Sequence, residues 1–366
     1  MSQSLFHFKN IHLIGIKGAG MTALAELLTK QGVIITGSDT KEVFFTDTIL
    51  KHLKIRYKEF FSPDNIPSSA QAIIYSTAYS REKNTELAAA FEKGLPVWSY
   101  PEALGMLTRE KCTLAVCGTH GKTTTSALLA DTLKYTGSDP SAIVGSRIVA
   151  WSGNALAGSG VYFVLEADEY QNKLAQYNPL AVILTSVDWD HPDFFPDQEK
   201  YEQTFRDFVA HIPKHGVLIY WSDSATVAKI AEAAVCKKIS YGMLEGAEFL
   251  VHNYVPEKMG FVGEKDTIKQ SFFVQHGGDT LGQFRLKLAG AHNALNATAV
   301  LALCLFLKQD VNRIRSAFEK FSGTTRRFEY IGERYGALLY DDYAHHPEEI
   351  RVTLQAFREL YPERHL

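Results

Sequence analysis

Cysteine is scarce. The 366 residues carry four, Cys112, Cys117, Cys236 and Cys304, with neither the C-x-x-C spacing of a redox or metal site nor the density of a disulfide scaffold. That argues against a stapled secreted domain and fits a reducing compartment. An excess of either charge is also missing: 38 Lys and Arg stand against 41 Asp and Glu, a net charge of −3. No general field therefore draws the chain to nucleic acid or to an anionic membrane. Long hydrophobic runs are absent too. The longest, AVLALCLFL at 299–307, is too short to cross a bilayer and reads as a core helix. The opening MSQSLFHFKN lacks the apolar stretch of a signal peptide, and no repeat or low-complexity tract interrupts the chain. With 46% hydrophobic and 22% charged residues, what remains is an ordinary globular protein of two or three domains. It is expected in the cytoplasm, with small molecules as partners and neither nucleic acid nor membrane.

Two glycine loops are present. CGTHGKTTTSALLADTL, residues 117–133, follows the apolar run CTLAVCG and leads into a helical pattern. Strand, glycine loop and helix in this order form a phosphate site, because backbone N–H groups at a helix N-terminus point at an anion and the helix dipole adds positive charge. Gly118 and Gly121 allow close approach, Lys122 carries charge, and Thr123 and Thr124 put hydroxyls at the helix start. The standard G-x-x-x-x-G-K-[ST] spacing would need glycine at 116, where this chain has Val116, so the loop is a variant. The second loop lies near the N-terminus, in IHLIGIKGAGMTALAELLTKQG, where a strand meets Gly15, Gly18 and Gly20. The next strand, VIITGSD, ends at Ser38 and Asp39, about where a dinucleotide fold places a ribose-binding carboxylate. A dehydrogenase is one reading. However, the glycines run G-x-x-G-x-G, and no nicotinamide chemistry follows. A polar residue closing a strand is the plain alternative for Asp39.

Further polar clusters close hydrophobic runs. VYFVLEADEYQ and AVILTSVDWDHPDFF put Glu166, Asp168, Glu169, Asp188, Asp190 and His191 at strand ends, where doubly wound sheets gather ligands. Thr123 and Glu166 offer the oxygen ligands that Mg²⁺ prefers, while His191 is a less usual ligand with a core-edge role as alternative. AGAHNALNATAVLALCLFL sets His292, Asn293 and Asn296 on the first turns of an apolar helix. An Asn amide can read adenine there, or Asn293 can cap the helix. SGTTRRFEYIG offers Arg326 and Arg327. ALLYDDYAHHPEEIRVTLQAF ends a strand in Asp341, Asp342, Tyr343, His345 and His346, with Pro347 expected as second residue of the helix. Residues 246–288 read as hairpin strands.

Taken in order, GIKGAGM, GSD, GTHGKTTT, EADE, DHPD, GAHNALNA, GTTRRFE and DDYAHHP resemble the Mur ligases of peptidoglycan synthesis over nearly the whole chain, and most closely their alanine-adding branch. The resemblance implies an α/β fold in three parts: a Rossmann-like parallel-sheet domain for a UDP-sugar (1–108), a central P-loop ATPase-like domain (109–322) and the start of a Rossmann-like C-terminal domain (323–366). It implies ATP and Mg²⁺ as cofactors, with UDP-N-acetylmuramate and L-alanine as substrates. The residues Gly118, Thr119, His120, Gly121, Lys122, Thr123, Thr124, Asn293, Asn296, Arg327 and Asp342 would hold ATP, with Lys122 on the β/γ-phosphates. Thr123, Glu166 and His191 would hold metal, and Lys122, Glu166 and His191 would be catalytic. Gly15, Gly18, Ala19, Gly20, Ser38, Asp39, Tyr343 and His345 would face the sugar nucleotide. No carbamylated lysine, used by relatives of other specificity, is assigned.

The alternatives are a recycling ligase joining an intact peptide to the same sugar nucleotide, a UDP-sugar or ATP sensor without turnover, and an NAD oxidoreductase. After GTTRRFE about one strand and one helix remain, too little for a complete parallel-sheet domain. The expectation is a fragmentary third domain, with UDP-sugar binding retained, weak ATP binding and little ligation.

Overall fold

The protein is described by a computed structural model that covers residues 4–151, 153–257 and 268–366. Among these residues three sheets form. In the first, β1 (Asn10–Ile14), β2 (Ile34–Ser38), β3 (Arg56–Lys58), β4 (Ala72–Tyr75) and β5 (Val97–Ser99) lie parallel in the order β3-β2-β1-β4-β5. Their connections carry helices α1 (Ala19–Lys30), α2 (Thr46–His52) and α3 (Thr85–Glu92), and α4 (Tyr100–Glu110) leads out. Strand order reverses beside β1, so the loop from β1 to α1 opens at the switch point where such sheets bind ligands.

The second sheet has ten strands. They are β6 (Cys112–Cys117), β7 (Ser141–Ile148), β8 (Gly153–Ala157), β9 (Tyr162–Glu166), β10 (Ala181–Leu184), β11 (Val217–Trp221), β12 (Lys237–Gly242), β13 (Phe249–Pro256), β14 (Gln270–His276) and β15 (Asp279–Leu286). Its order is β15-β14-β13-β12-β11-β10-β6-β9-β7-β8. The buried middle is parallel, and β8, β14 and β15 add antiparallel edges. β13–β15 form the hairpins expected over 246–288, of which residues 258–267 lie outside the described residues. α5 (Lys122–Thr136), α6 (Gln198–Ala210), α7 (Ala225–Ala231), α8 (Ala291–Phe306) and α9 (Val311–Lys320) cover the sheet.

Alternation along β6 and β10 decides which face each side chain serves. Leu114, Val116 and Ile183 pack with α5 and α8, whose Leu128, Leu133, Ala297 and Leu301 fill one core. Ala115, Val182 and Leu184 point the other way, into a core that runs on through Leu104 and Leu107 of α4 to Leu24 and Leu28 of α1. One apolar cluster thus joins the two large sheets.

The third sheet is a hairpin, β16 (Glu329–Arg334) and β17 (Ala337–Asp341), followed by α10 (Pro347–Leu360). The expected single strand is therefore an antiparallel pair. Its turn residues Tyr335 and Gly336 both have positive φ (52° and 80°), the backbone of tight hairpins, which a tyrosine in the first turn position disguises. Pro347 is the first residue of α10 rather than the second, and His346 caps it. Phe328 stacks on Phe357 at 4.1 Å, with Tyr340 against both. Ala356 and Leu360 bury against Ala289, and Tyr254 Oη donates to Glu359 at 2.7 Å, docking the segment on the central sheet.

Candidate active site

β6 stops at Cys117 and the chain turns through Gly118 (φ 130°) and Gly121 (φ 79°) into α5. Both glycines are required. A methyl at 118 would meet the Ser186 carbonyl at 2.6 Å, and one at 121 would meet Asn296 Oδ1 at 3.0 Å in a left-handed backbone. No side chain caps α5, so its first N–H groups remain open to an anion. Lys122 Nζ folds back, donating to the carbonyls of Gly118 (2.6 Å) and Thr119 (3.2 Å) and to Glu169 (2.9 Å). Burial opposes the lysine's charge, but Glu169 and Asp168 outweigh it and raise its pKa. Glu169, fully buried, also accepts from Tyr201 Oη at 3.0 Å, and Tyr201 in turn meets Thr119 Oγ1 at 2.8 Å.

Glu166 ends β9 beside this loop. It accepts from Thr123 Oγ1 at 2.8 Å and from the Gly145 N–H at 2.5 Å. Burial nonetheless raises its carboxyl pKa, against those two hydrogen bonds. Two adjacent oxygens of this kind suit a hard cation. A second group, Asp168, Glu169 and His191, brings one ligand atom from each within 4.8 Å of the others. His191 holds a positive φ of 56° and rests on the Tyr170 ring at 4.7 Å. Its Nε2 lies 3.8 Å from Asp190 and 4.0 Å from Glu169. Both donor sets therefore fit a divalent ion, the first wholly by oxygen and the second with one imidazole. Asp188 serves differently, pairing with His120 at 3.4 Å.

On the other side of Gly121 opens a cavity of about 390 Å³. His120, Gly121, Thr123 and Thr124 form one wall, Asn293 and Asn296 of α8 the second, and Arg327, Asp342 and Glu349 the third. α8 is capped by Gly290, not Asn293. Asn293 donates to the Ala289 carbonyl at 2.7 Å and accepts from Asn296 at 3.3 Å. Asp342 accepts from the N–H groups of Phe328 (2.7 Å) and Ala344 (2.8 Å), so its carboxylate holds the third unit's loop in shape at the cavity wall. Glu349, in no motif of the sequence, lies 3.2 Å from His120 Nδ1 and 3.7 Å from Arg327. Burial would lower the His120 pKa, but Asp188 and Glu349 raise it to about 9; Glu349 is brought down to about 2 by His120 and Arg327 despite its own burial. Tyr343 and His345 are not among the lining residues. Tyr343 is half exposed beneath Arg326, and His345 Nδ1 stays 2.9 Å from the Tyr343 carbonyl.

At the first loop Gly15 has φ 84° and its N–H donates to the Ser38 carbonyl. Asp39 accepts from the N–H groups of Lys17 (2.6 Å) and Thr40 (2.7 Å) and from Tyr79 Oη (3.2 Å). A methyl at Gly15 would strike the Tyr79 ring at 2.7 Å, and one at Gly20 would strike Tyr100 Oη at 2.6 Å, whereas Gly18 has room. The Ser38 side chain is buried, donating to Glu86 at 2.7 Å, and Glu86 also takes His12, Asn65 and the Ser62 N–H. Lys17, Glu86, Tyr79, Tyr100, Tyr201 and Glu349, which pack against or bond to the site's loops, were not singled out by sequence reasoning. None lies in a motif that announces its partner, whereas Glu169, the last residue of EADE, was among the acids expected at strand ends.

The Mur ligase middle domain matches residues 116–304, the Mur ligase family catalytic domain residues 10–112, and the Mur ligase glutamate ligase domain residues 326–366. The chain belongs to the Mur ligase family. A Mur ligase of Desulfitobacterium hafniense, UDP-N-acetylmuramate–L-alanine ligase, is 40% identical over 359 residues, 98% of this chain and 77% of that one. The crystal structure of UDP-N-acetylmuramate–alanine ligase from Thermotoga maritima superposes with a TM-score of 0.80 at 27% identity, covering 97% of this chain and 78% of the other. The UDP-N-acetylmuramate:L-alanyl-γ-D-glutamyl-meso-diaminopimelate ligase from Neisseria meningitides gives 0.74 at 26% identity, covering 86% and 98%. In this Mur ligase the two glycine loops and the Asn293–Arg327–Asp342 cavity follow one another through the three matched domains.

Proposed function

We propose that this chain is an ATP-dependent amide-bond ligase that adds L-alanine to UDP-N-acetylmuramate in peptidoglycan precursor synthesis. The observation that carries the reading is the pairing of two unlike glycine loops joined by one core: one at Gly15–Gly20 lined by backbone N–H groups and the Asp39 carboxylate, and one at Gly118–Thr124 that carries Lys122. A carboxylate is a poor electrophile. Its oxygen attacks the γ-phosphorus of ATP, ADP leaves, and an acyl phosphate forms. The amine of L-alanine then attacks the acyl carbon and phosphate departs.

Lys122, fixed over its own loop, would neutralise charge that builds on the transferring phosphoryl group. Open N–H groups of α5 would take the phosphate oxygens, and Asn293 and Asn296 would meet the adenine, with Arg327 reaching across from the third unit. Thr123 and Glu166 would hold one Mg²⁺, and Asp168 with Glu169 and His191 a second; bound there, the ions would offset phosphate charge. Gly15, Gly18, Ala19, Gly20 and Asp39 would take the UDP-sugar, and Tyr343 and His345, on the outer rim, would meet it only if the third unit moves inward. The parts 1–108, 109–322 and 323–366 are proposed as the sugar-nucleotide, ATP and ligase units. Among the described residues no helix is long and apolar enough to cross a membrane, and we place the enzyme in the cytoplasm.

The likeness to the peptide-adding enzyme favours one second reading, a recycling ligase. Phosphate release with UDP-N-acetylmuramate, Mg²⁺–ATP and either L-alanine or the tripeptide separates them by amine dependence, whatever the absolute rate. L-alanine is expected to stimulate release. Stimulation by the tripeptide alone would overturn the reading in favour of recycling.

A further inference from the structure

Between the two glycine loops, α1 lies against the β7–β8 hairpin. Asn154 of β8 is fully buried in this seam. Its Nδ2 donates to the Ala19 carbonyl in the first turn of α1 (2.9 Å) and to the Val144 carbonyl on β7 (3.2 Å). Its own N–H reaches Glu26 Oε2 of α1 at 3.3 Å, and its Oδ1 is buried with no hydrogen-bond partner. The residue after Val144 is Gly145, whose N–H donates to Glu166; a methyl there would lie 2.8 Å from the Glu166 carboxylate. A single side-chain amide therefore ties the turn that opens the first loop to the strand that holds the acid of the second.

We infer that Asn154 is a positioning residue that couples occupancy of the first glycine loop to the placement of Glu166, and so to nucleotide binding at the second loop; this rests on the functional reading above. The geometry leaves little slack. Both donors of the amide are engaged on different elements, so a shift of the first α1 turn toward a ligand must either carry Val144 with it or break one buried bond, which is disfavoured in a dry seam. Moving Val144 moves Gly145, and the 2.5 Å contact transmits that motion to Glu166 and its Thr123 partner. Coupling between two sites is reciprocal, so it can be read from either ligand.

The test is calorimetric titration of the full chain with UDP-N-acetylmuramate, without and with saturating Mg²⁺ and a non-hydrolysable ATP analogue. For the native chain the analogue is expected to change the sugar-nucleotide Kd by about fivefold or more. Asn154→Ser is expected to leave each single-ligand Kd within about twofold and to bring the ratio close to one. Asn154→Asp keeps the shape and removes the donors; it carries the test if melting shows Asn154→Ser to be unfolded. A variant that keeps the native ratio, or a native ratio of one, would overturn the coupling. A native chain that binds neither ligand would overturn the functional reading instead.

Discussion

The two glycine loops look alike in sequence and differ in what their lysines do. Lys17 turns away from the mouth of its loop: it is buried, and its Nζ donates to the carbonyls of Thr40 (3.0 Å) and Glu42 (2.9 Å) and to Glu59 (2.8 Å), with Asp47 at 3.2 Å. Burial opposes its charge, yet Glu59 and Asp47 raise its pKa. The lysine clamps the segment after Asp39 and leaves the first loop with backbone N–H groups, which suit a diphosphate, and one carboxylate, which suits a hydroxyl. Lys122 instead stays on its own loop at an uncapped helix start, facing one carboxylate that an incoming phosphate can replace. A lysine kept at the mouth adds side-chain charge to what backbone N–H groups alone offer a phosphate.

The strongest way to break this contrast is Lys122→Ala. It is expected to lower ATP-dependent phosphate release about 10³-fold, the scale of losing a charge partner in the transition state, while the UDP-sugar Kd stays put. Phosphate assays and binding titrations check it, and equal loss of both ligands would erase the contrast.

Next comes Glu86→Ala, which acts on the first loop alone. It strands His12, Ser38 and Asn65 around a missing buried carboxylate, at a cost of about 3–5 kcal/mol in denaturant unfolding, and UDP-sugar affinity should fall more than ATP affinity. If stability is unchanged, Glu86 is not the hub that the hydrogen bonds indicate.

How much of this was readable beforehand follows from how local each feature is. β6, its loop and α5 are contiguous, so hydrophobic run, glycines and helical pattern announced them, as did the acids closing β9 and β10. The cavity wall from Asn293 and Asn296 followed from the resemblance and not from spacing. What stayed hidden depends on partners far apart in the chain: Glu349 on His120 and Asn154 on Ala19. The Ser38–Glu86 bond was not legible because a strand's alternation cannot tell what a side chain meets until the neighbouring helix, here α3 with Glu86, is placed. The β16–β17 turn was missed because its positive-φ positions hold Tyr335 and Gly336 instead of a familiar turn pair.

Smaller effects sharpen the comparison. Glu166→Ala should weaken Mg²⁺-dependent ATP binding about tenfold, the loss of one charged contact, and more than Asp168→Ala, whose carboxylate pairs with Lys173. A larger effect at Asp168 would move the metal to the second donor set. Gly15→Ala should cost at least about 1–2 kcal/mol for the left-handed backbone, with the clash against Tyr79 added, felt in UDP-sugar binding and not in ATP binding; an opposite pattern in paired titrations would contradict it.

Smallest is the pH response of α10. His120, raised from 6.5 to about 9, contributes docking fully below 6.5 and loses it as pH rises through 9. Glu349, lowered from 4.5 to about 2, contributes above 4.5 and loses it as pH falls through 2. Hydrogen-exchange protection of α10, corrected for intrinsic rates, should therefore be flat between 4.5 and 6.5 and decline on both sides. A flat profile up to pH 10 would remove the His120–Glu349 contact as its cause.

The central claim is that the two loops hold two different nucleotides at once. It is tested most directly by titrating UDP-N-acetylmuramate into the chain saturated with Mg²⁺ and a non-hydrolysable ATP analogue, and counting what is bound. The account gives one equivalent of each with no displacement; release of the ATP analogue as the sugar nucleotide binds would contradict it.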